Sequence, residues 1–217
     1  MRCLPAAGVV ALAGTQVSCR KDEEEEVSTN EDLMREHGIL KRVLLAYDEI
    51  VRRIRGNHEL PPGAITDGAT IIRKFIEDYH EKLEENHLFP RFRKAGKLTE
   101  LVEVLLAQHQ AGRCLTDRIV ATAAALKTND DRNRLAADLE AFNRMYAPHE
   151  AREDTVLFPE LRKIVSSHEY DSLGEQFEKI ERQTFGGDGF DMYVAKVTAL
   201  EKRLGISDLA QFTPKCT

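Results

Sequence analysis

The 217-residue chain has no tryptophan, and aromatic residues make up only 6% of it. That is too few for a β fold built on aromatic cross-strand pairs. Glycine (13) and proline (7) are sparse for a turn-rich architecture, which leaves long helices as the expected fold. The four cysteines, Cys3, Cys19, Cys114 and Cys216, form no Cys-x-x-Cys pair, so neither a zinc ribbon nor a dense disulfide framework is indicated. Positive charge is not in excess either. With a formal net charge of -6 and no local Lys/Arg cluster, the chain is not suited to neutralising a phosphate backbone, which argues against a nucleic-acid partner. Charge of both signs is abundant, at 31% of residues, as solvated helix faces require.

The N-terminal residues read as a segment apart. Arg2 and the small, apolar stretch from Ala6 to Ala13 form a short signal-peptide core, too brief to span a bilayer. Gln16-Val17-Ser18-Cys19 resembles a lipoprotein box, with Gln where Leu is usual. On that reading the chain is exported to the bacterial cell envelope and Cys19 carries a lipid anchor, its sole link to a membrane. The alternative is a start codon set too early, ahead of a cytoplasmic protein. Asp22 to Glu26 is a self-repelling acidic linker. The chain therefore divides into a signal-like segment and linker over 1–27, a folded unit over 28–166, and a helical extension of unassigned chemistry over 167–217.

Helical spacing of apolar residues, with caps and breakers, marks the helices. Ser28 or Thr29 starts a helix that runs to about Arg55, and the break at Gly56 and Pro61-Pro62-Gly63 separates it from a second, which ends near Gly96. A third spans Leu98 to about Leu126, and a fourth, capped within Asn129 to Asp131, ends near Ser166. Pro148 inside the fourth removes a backbone hydrogen bond and should bend its axis. Two shorter helical patterns follow, split at Gly186 to Gly189.

An internal repeat organises this layout. The fifteen residues from His80 to Lys94 align without gaps against His149 to Lys163, sharing His-Glu, a second Glu four residues after the His, Leu-Phe-Pro and Arg-Lys. Each copy follows a helix with one histidine, His37 or His109. Two helical hairpins in tandem predict a four-helix bundle with an approximate two-fold axis. Residues four apart share a helix face, so His80 sits beside Glu84 and His149 beside Glu153. Ile76 and Ile72 continue the first stripe, and Phe142 lies two turns before His149, so both pairs should face the core. Buried carboxylates without partners cost several kcal/mol, and a metal held by His37, His80, Glu84, His109, His149 and Glu153 removes that cost. Mixed imidazole and carboxylate ligands without thiolate suit iron, with manganese and zinc as alternatives. If Glu84 and Glu153 each bridge, two ions receive two nitrogens and two oxygens apiece, leaving room for an oxo or hydroxo bridge and an open position for dioxygen, peroxide or nitric oxide. His58 and His168 read as surface residues. His87 returns to nearly the face of His80, yet its repeat counterpart is Val156, so it reads as a histidine near the bundle end. Tyr79 and Tyr146 lie next to the ligand turns, as redox-active phenols or as core residues.

The order His, His-x-x-x-Glu, His, His-x-x-x-Glu over residues 37 to 153, with Leu-Phe-Pro after each pair, resembles the hemerythrin-like (HHE cation-binding) family. The resemblance implies an all-α, up-down four-helix bundle with a non-haem di-iron centre, here with additional C-terminal helices. It differs from ferritin-like bundles, whose motif is Glu-x-x-His. Oxygen-carrying members have a fifth histidine on the third helix, whereas four positions either side of His109 lie Leu105 and Arg113. Arg113 either faces outward with no role or, at the edge of the site, pairs with a bridging carboxylate or stabilises a bound peroxide. The chain thus resembles the four-histidine branch, for which the resemblance does not imply reversible oxygen carriage; activities in the broader family include peroxide breakdown, response to nitric oxide, and sensing of iron or oxygen, so both an oxidant-binding centre and a sensor module without turnover are open.

Overall fold

The computed structural model describes residues 27–215, so the lipoprotein-like box at Cys19 lies outside the described residues. Among these, all regular structure is helical. Helix α1 (Thr29–Arg55) starts where the Ser28 hydroxyl accepts a hydrogen bond from the Glu31 amide and ends at Gly56. Helix α2 spans 64–95, α3 is Thr99–Ala124, α4 spans 129–164, α5 is Ser167–Phe185 and α6 is Gly189–Leu204. The cap of α4 is Thr128 rather than a residue within Asn129 to Asp131. Its hydroxyl accepts from the Asp131 amide while the Asp131 carboxylate accepts from the Thr128 amide.

Helix α1 packs against α2 and α4, and α3 packs against the same two, which closes an up-down bundle. Its core is filled by Leu40, Tyr47, Ile72, Ile76, Phe142 and Leu139 among others, all essentially inaccessible to water. The short helices α5 and α6 lie on α1 and α2, burying Phe177, Tyr193, Val197 and Leu200. No described helix is long and apolar enough to cross a membrane.

Both ligand-bearing helices leave α geometry at matching places. After each glutamate of the repeat comes a wide π turn, Glu84–Leu88 in α2 and Glu153–Leu157 in α4, closed by amides of Phe89 and Phe158 that donate five residues back to Glu84 and Glu153. Pro90 and Pro159 follow immediately, and a proline has no N–H to give and crowds the carbonyl four residues before it, so the preceding turn opens. Pro148, by contrast, lies inside an α-helical stretch, Asn129–Arg152, that continues through it. A longer π stretch, Ile72–His80, leads into the first histidine of the repeat.

Candidate metal centre

The structure brings the six residues singled out in the sequence together at the middle of the bundle, none of them more than 4% exposed. The Nε2 atoms of His37 and His80 face each other at 3.0 Å, and those of His109 and His149 at 3.2 Å. The two glutamates lie between these pairs. Glu84 Oε2 is 3.9 Å from His80 Nε2 and 3.4 Å from His109 Nε2, while Glu153 Oε2 is 3.1 Å from His149 Nε2 and 3.4 Å from His37 Nε2. Each carboxylate thus touches one imidazole from each hairpin. Two three-residue groups result, His37/His80/Glu84 and His109/His149/Glu153, whose ligand atoms lie within 4.8 Å of one another.

Donor accounting shows what this arrangement demands. All four Nδ1 atoms face oxygen acceptors: Asp154 for His37 (2.7 Å), Glu36 for His80 (2.6 Å), Glu85 for His109 (3.2 Å) and the Gln108 side-chain oxygen for His149 (2.9 Å). An Nδ1 that donates leaves a lone pair on Nε2, so four lone pairs converge. Facing them are four carboxylate oxygens of Glu84 and Glu153, buried and without any hydrogen-bond donor. Lone pairs against unpartnered carboxylates call for cations, and imidazole held by an acceptor at its far nitrogen is the usual support of a metal-bound histidine.

The titration behaviour points the same way. Burial pulls the His37 imidazole down, but its hydrogen bond to Asp154 and the nearby Glu153 carboxylate hold it well above the ordinary value. His109 is also opposed by burial, yet Glu84 and Glu85 raise it to about 10. His80 falls to about 4 through burial, its attraction to Glu84 being outweighed. Glu153 is held well below the carboxylate range, because His149 and His37 overcome its desolvation. The centre therefore seeks positive charge, which metal ions supply without protons. Glu36, also in the buried interior, is pushed up to about 8 by burial, against which a cation beyond His80 would work.

Arg113 is the point where the sequence reading needs correction. It does not reach a bridging carboxylate. Its guanidinium pairs with Glu81 (2.6 Å) and Glu85 (2.7 Å) and donates to the Glu77 carbonyl (3.2 Å), so it braces the acceptor behind His109. Tyr146 donates to the other oxygen of Glu81 (2.6 Å). Both Tyr79 and Tyr146 are core residues, almost inaccessible to water. His87 packs its ring on Phe177 at 5.6 Å, and His58 and His168 are exposed.

Residues missed in the sequence complete the pattern. Phe89 stacks on His109 (5.6 Å) and Phe158 on His37 (5.4 Å), so the Phe of each Leu-Phe-Pro holds the lone histidine of the opposite hairpin. The acid after each repeat glutamate, Glu85 or Asp154, accepts from that same histidine. The residue before each lone histidine, Glu36 or Gln108, accepts from the repeat histidine of its own hairpin.

An up-down bundle with a His- and Glu-lined centre of this symmetry defines a helical cation-binding domain. The comparisons agree: residues 28–161 match the model of the hemerythrin HHE cation-binding domain, and the chain belongs to that family. It is 49% identical over 221 residues to the uncharacterized protein Rv1995 of Mycobacterium tuberculosis, covering 96% of this chain and 87% of the relative. The uncharacterized protein Mb2018 of Mycobacterium bovis is similar to the same extent, 49% over 221 residues with 96% and 87% coverage. No solved structure matches.

Proposed function

We propose that the centre holds two iron ions, one on His37 and His80, the other on His109 and His149, with Glu84 and Glu153 reaching both, and that it engages a small oxidant. The observation that carries this reading is the set of four inward Nε2 lone pairs facing four unpartnered carboxylate oxygens. The six ligands fall into two separate three-residue groups, each able to hold one ion, and two nitrogens with shared carboxylates would leave each ion short of six-coordination. When bound, the irons would supply redox change and an open position. The protein's own part is to fix the imidazoles from behind and keep bulk water out. Since no ligand is more than 4% exposed, the partner has to be as small as dioxygen, peroxide or nitric oxide.

Protein loaded with iron should carry about two irons per chain by metal analysis and consume peroxide or take up dioxygen or nitric oxide. His80→Ala and His149→Ala should each lose metal, while His58→Ala and His168→Ala keep it. One zinc and no iron would overturn the reading.

A second reading, a sensor module without turnover, is favoured by one contact. Phe185 of α5 meets the Tyr79 ring edge to face at 5.1 Å, next to His80, so the extension touches a neighbour of the centre. Faster amide exchange in 167–204 on oxidation, with no sustained peroxide consumption, would select it.

A further inference from the structure

The pseudo-two-fold that builds the centre is broken in one respect that bears on the metals. Behind the first pair, both acceptors are acids, Glu36 for His80 and Asp154 for His37. Neither forms an ion pair with a lysine or arginine among the described residues. Behind the second pair, the acceptor for His149 is the neutral amide oxygen of Gln108, at the repeat position of Glu36. The acceptor for His109, Glu85, is ion-paired to Arg113 (2.7 Å) and Lys82 (2.5 Å).

The next pair of charges is matched and does not restore the balance. Glu150 behind the first pair is bound by Lys41, as Glu81 behind the second is by Arg113, each cation four residues after its lone histidine. Further out on the first side lie two more acids, Asp32 and Glu181, with Arg35 beside them. The first pair is thus backed by two carboxyls that no lysine or arginine pairs directly, and the second by a neutral amide and a carboxylate that two cations pair.

An imidazole that donates to a carboxylate is a stronger σ-donor than one that donates to an amide, and the extra negative potential adds to cation affinity. From this asymmetry, and resting on the two-metal reading above, we infer that the two metal positions are inequivalent: the His37/His80 position binds its cation first and more tightly, and Glu36 against Gln108 sets the difference. These two are positioning and tuning residues that touch ligands, not metal.

Cobalt(II) alone, titrated into the metal-free full chain and followed by its visible absorption and by calorimetry, tests this without reference to turnover. Wild type should take two ions in two resolved phases, the first at least about tenfold tighter. His149→Ala should keep the first phase and lose the second, and His80→Ala should do the reverse. Glu36→Gln should weaken the first phase by about 10- to 100-fold, and Gln108→Glu should strengthen the second by a similar factor, so that the phases converge in either variant. Both exchanges are isosteric. Should Glu36→Gln not give the wild-type far-ultraviolet dichroism, Gln108→Glu carries the test alone.

A single unresolved phase of two ions in wild type overturns the inference while leaving two metals standing. So does loss of the first phase in His149→Ala. Unchanged constants in Gln108→Glu, or in a folded Glu36→Gln, overturn it as well. Uptake of fewer than two ions overturns the two-metal reading itself and takes the inference with it. Total uptake reads one proposal and the ratio of constants reads the other.

Discussion

The two hairpins present the same ligands but live in different surroundings. The first, α1 and α2, lies under α5 and α6, and α1 buries residues on most of its circumference, from Leu33 and Leu40 to Ile50 and Ile54. Among the described residues, the second, α3 and α4, has no such cover. Helix α3 buries only a narrow stripe containing Val102, Leu105, His109, Gly112, Thr116 and Ile119, and turns Val104 and Val120 to water. The ligand sets are alike, two imidazoles and a carboxylate in each three-residue group. What lies behind them differs: apolar helix packing over one hairpin, and the Arg113 ion pairs behind the histidines of the other.

If the cover belongs to the first hairpin, removing an anchor of α5 should act there. Phe177 is inaccessible to water and packs on His87 of α2. Phe177→Ala should cost about 3–5 kcal/mol in denaturant unfolding, as large aromatic truncations in cores do. Amide exchange should rise in α5 and in the first hairpin. Val104→Ser on the bare face of α3 should change stability by no more than about 0.5 kcal/mol. Equal loss of protection in α3 after Phe177→Ala would break the comparison.

Gly112 sharpens it from the other side. Three residues after the lone histidine, the first hairpin has Leu40 and the second has Gly112, and the glycine leaves room for a large residue. A Cβ there would lie 2.0 Å from the Tyr146 hydroxyl oxygen and 2.7 Å from its ring carbon. Gly112→Ala must therefore displace Tyr146 from Glu81. The expected cost is about 1–3 kcal/mol from overpacking and the lost buried hydrogen bond, read by thermal unfolding. Gly112→Ala combined with Tyr146→Phe should recover little, because the clash with the ring remains. Wild-type stability in Gly112→Ala would show that the close approach carries no constraint.

The same comparison explains how much could be read beforehand. The bundle and its six inward residues were legible because the repeat states them twice and helical periodicity fixes the face of His80 and Glu84. The acceptors behind the ligands were not legible as such. His37 finds Asp154 117 residues away, and His109 finds Glu85 on the neighbouring helix α2, so the pairing is written between hairpins rather than within one. A signal existed, since Glu85 and Asp154 occupy one repeat position and Phe89 and Phe158 another, yet it has meaning only once the hairpins are interleaved. For Arg113 the sequence leaves two readings open, outward-facing or paired with a bridging carboxylate, and neither matches the structure, in which its guanidinium pairs with Glu81 and Glu85 instead. The shared Pro90 and Pro159 belonged to wide turns that periodicity alone does not reveal.

The smallest expected effect lies where α1 meets the extension. A cavity of about 650 Å³ there is lined by Asp32, Glu178, Glu181 and Asp188, with Arg35 and Arg182 as the nearby cations. Burial, reinforced by Glu36 and only partly offset by Arg35, pushes the Asp32 carboxyl up to about 7. A carboxyl raised on folding holds its proton in the native state at pH values where the unfolded chain has released it. Its contribution to stability is therefore complete below the ordinary carboxylate value and is lost as pH rises through about 7. Asp32→Asn keeps the neutral form at every pH. It also gives up the favourable interaction of a negative charge with the first turn of α1, worth about 0.3–1 kcal/mol, which trims the gain. The variant should exceed wild type at pH 8 by about 1 kcal/mol, a rise in Tm of about 2–4 °C, with the difference closing toward pH 4. A Tm difference for Asp32→Asn that stayed constant from pH 4 to pH 8 would mean that Asp32 does not titrate as its surroundings require, and that the acids beneath the extension behave like those left in water.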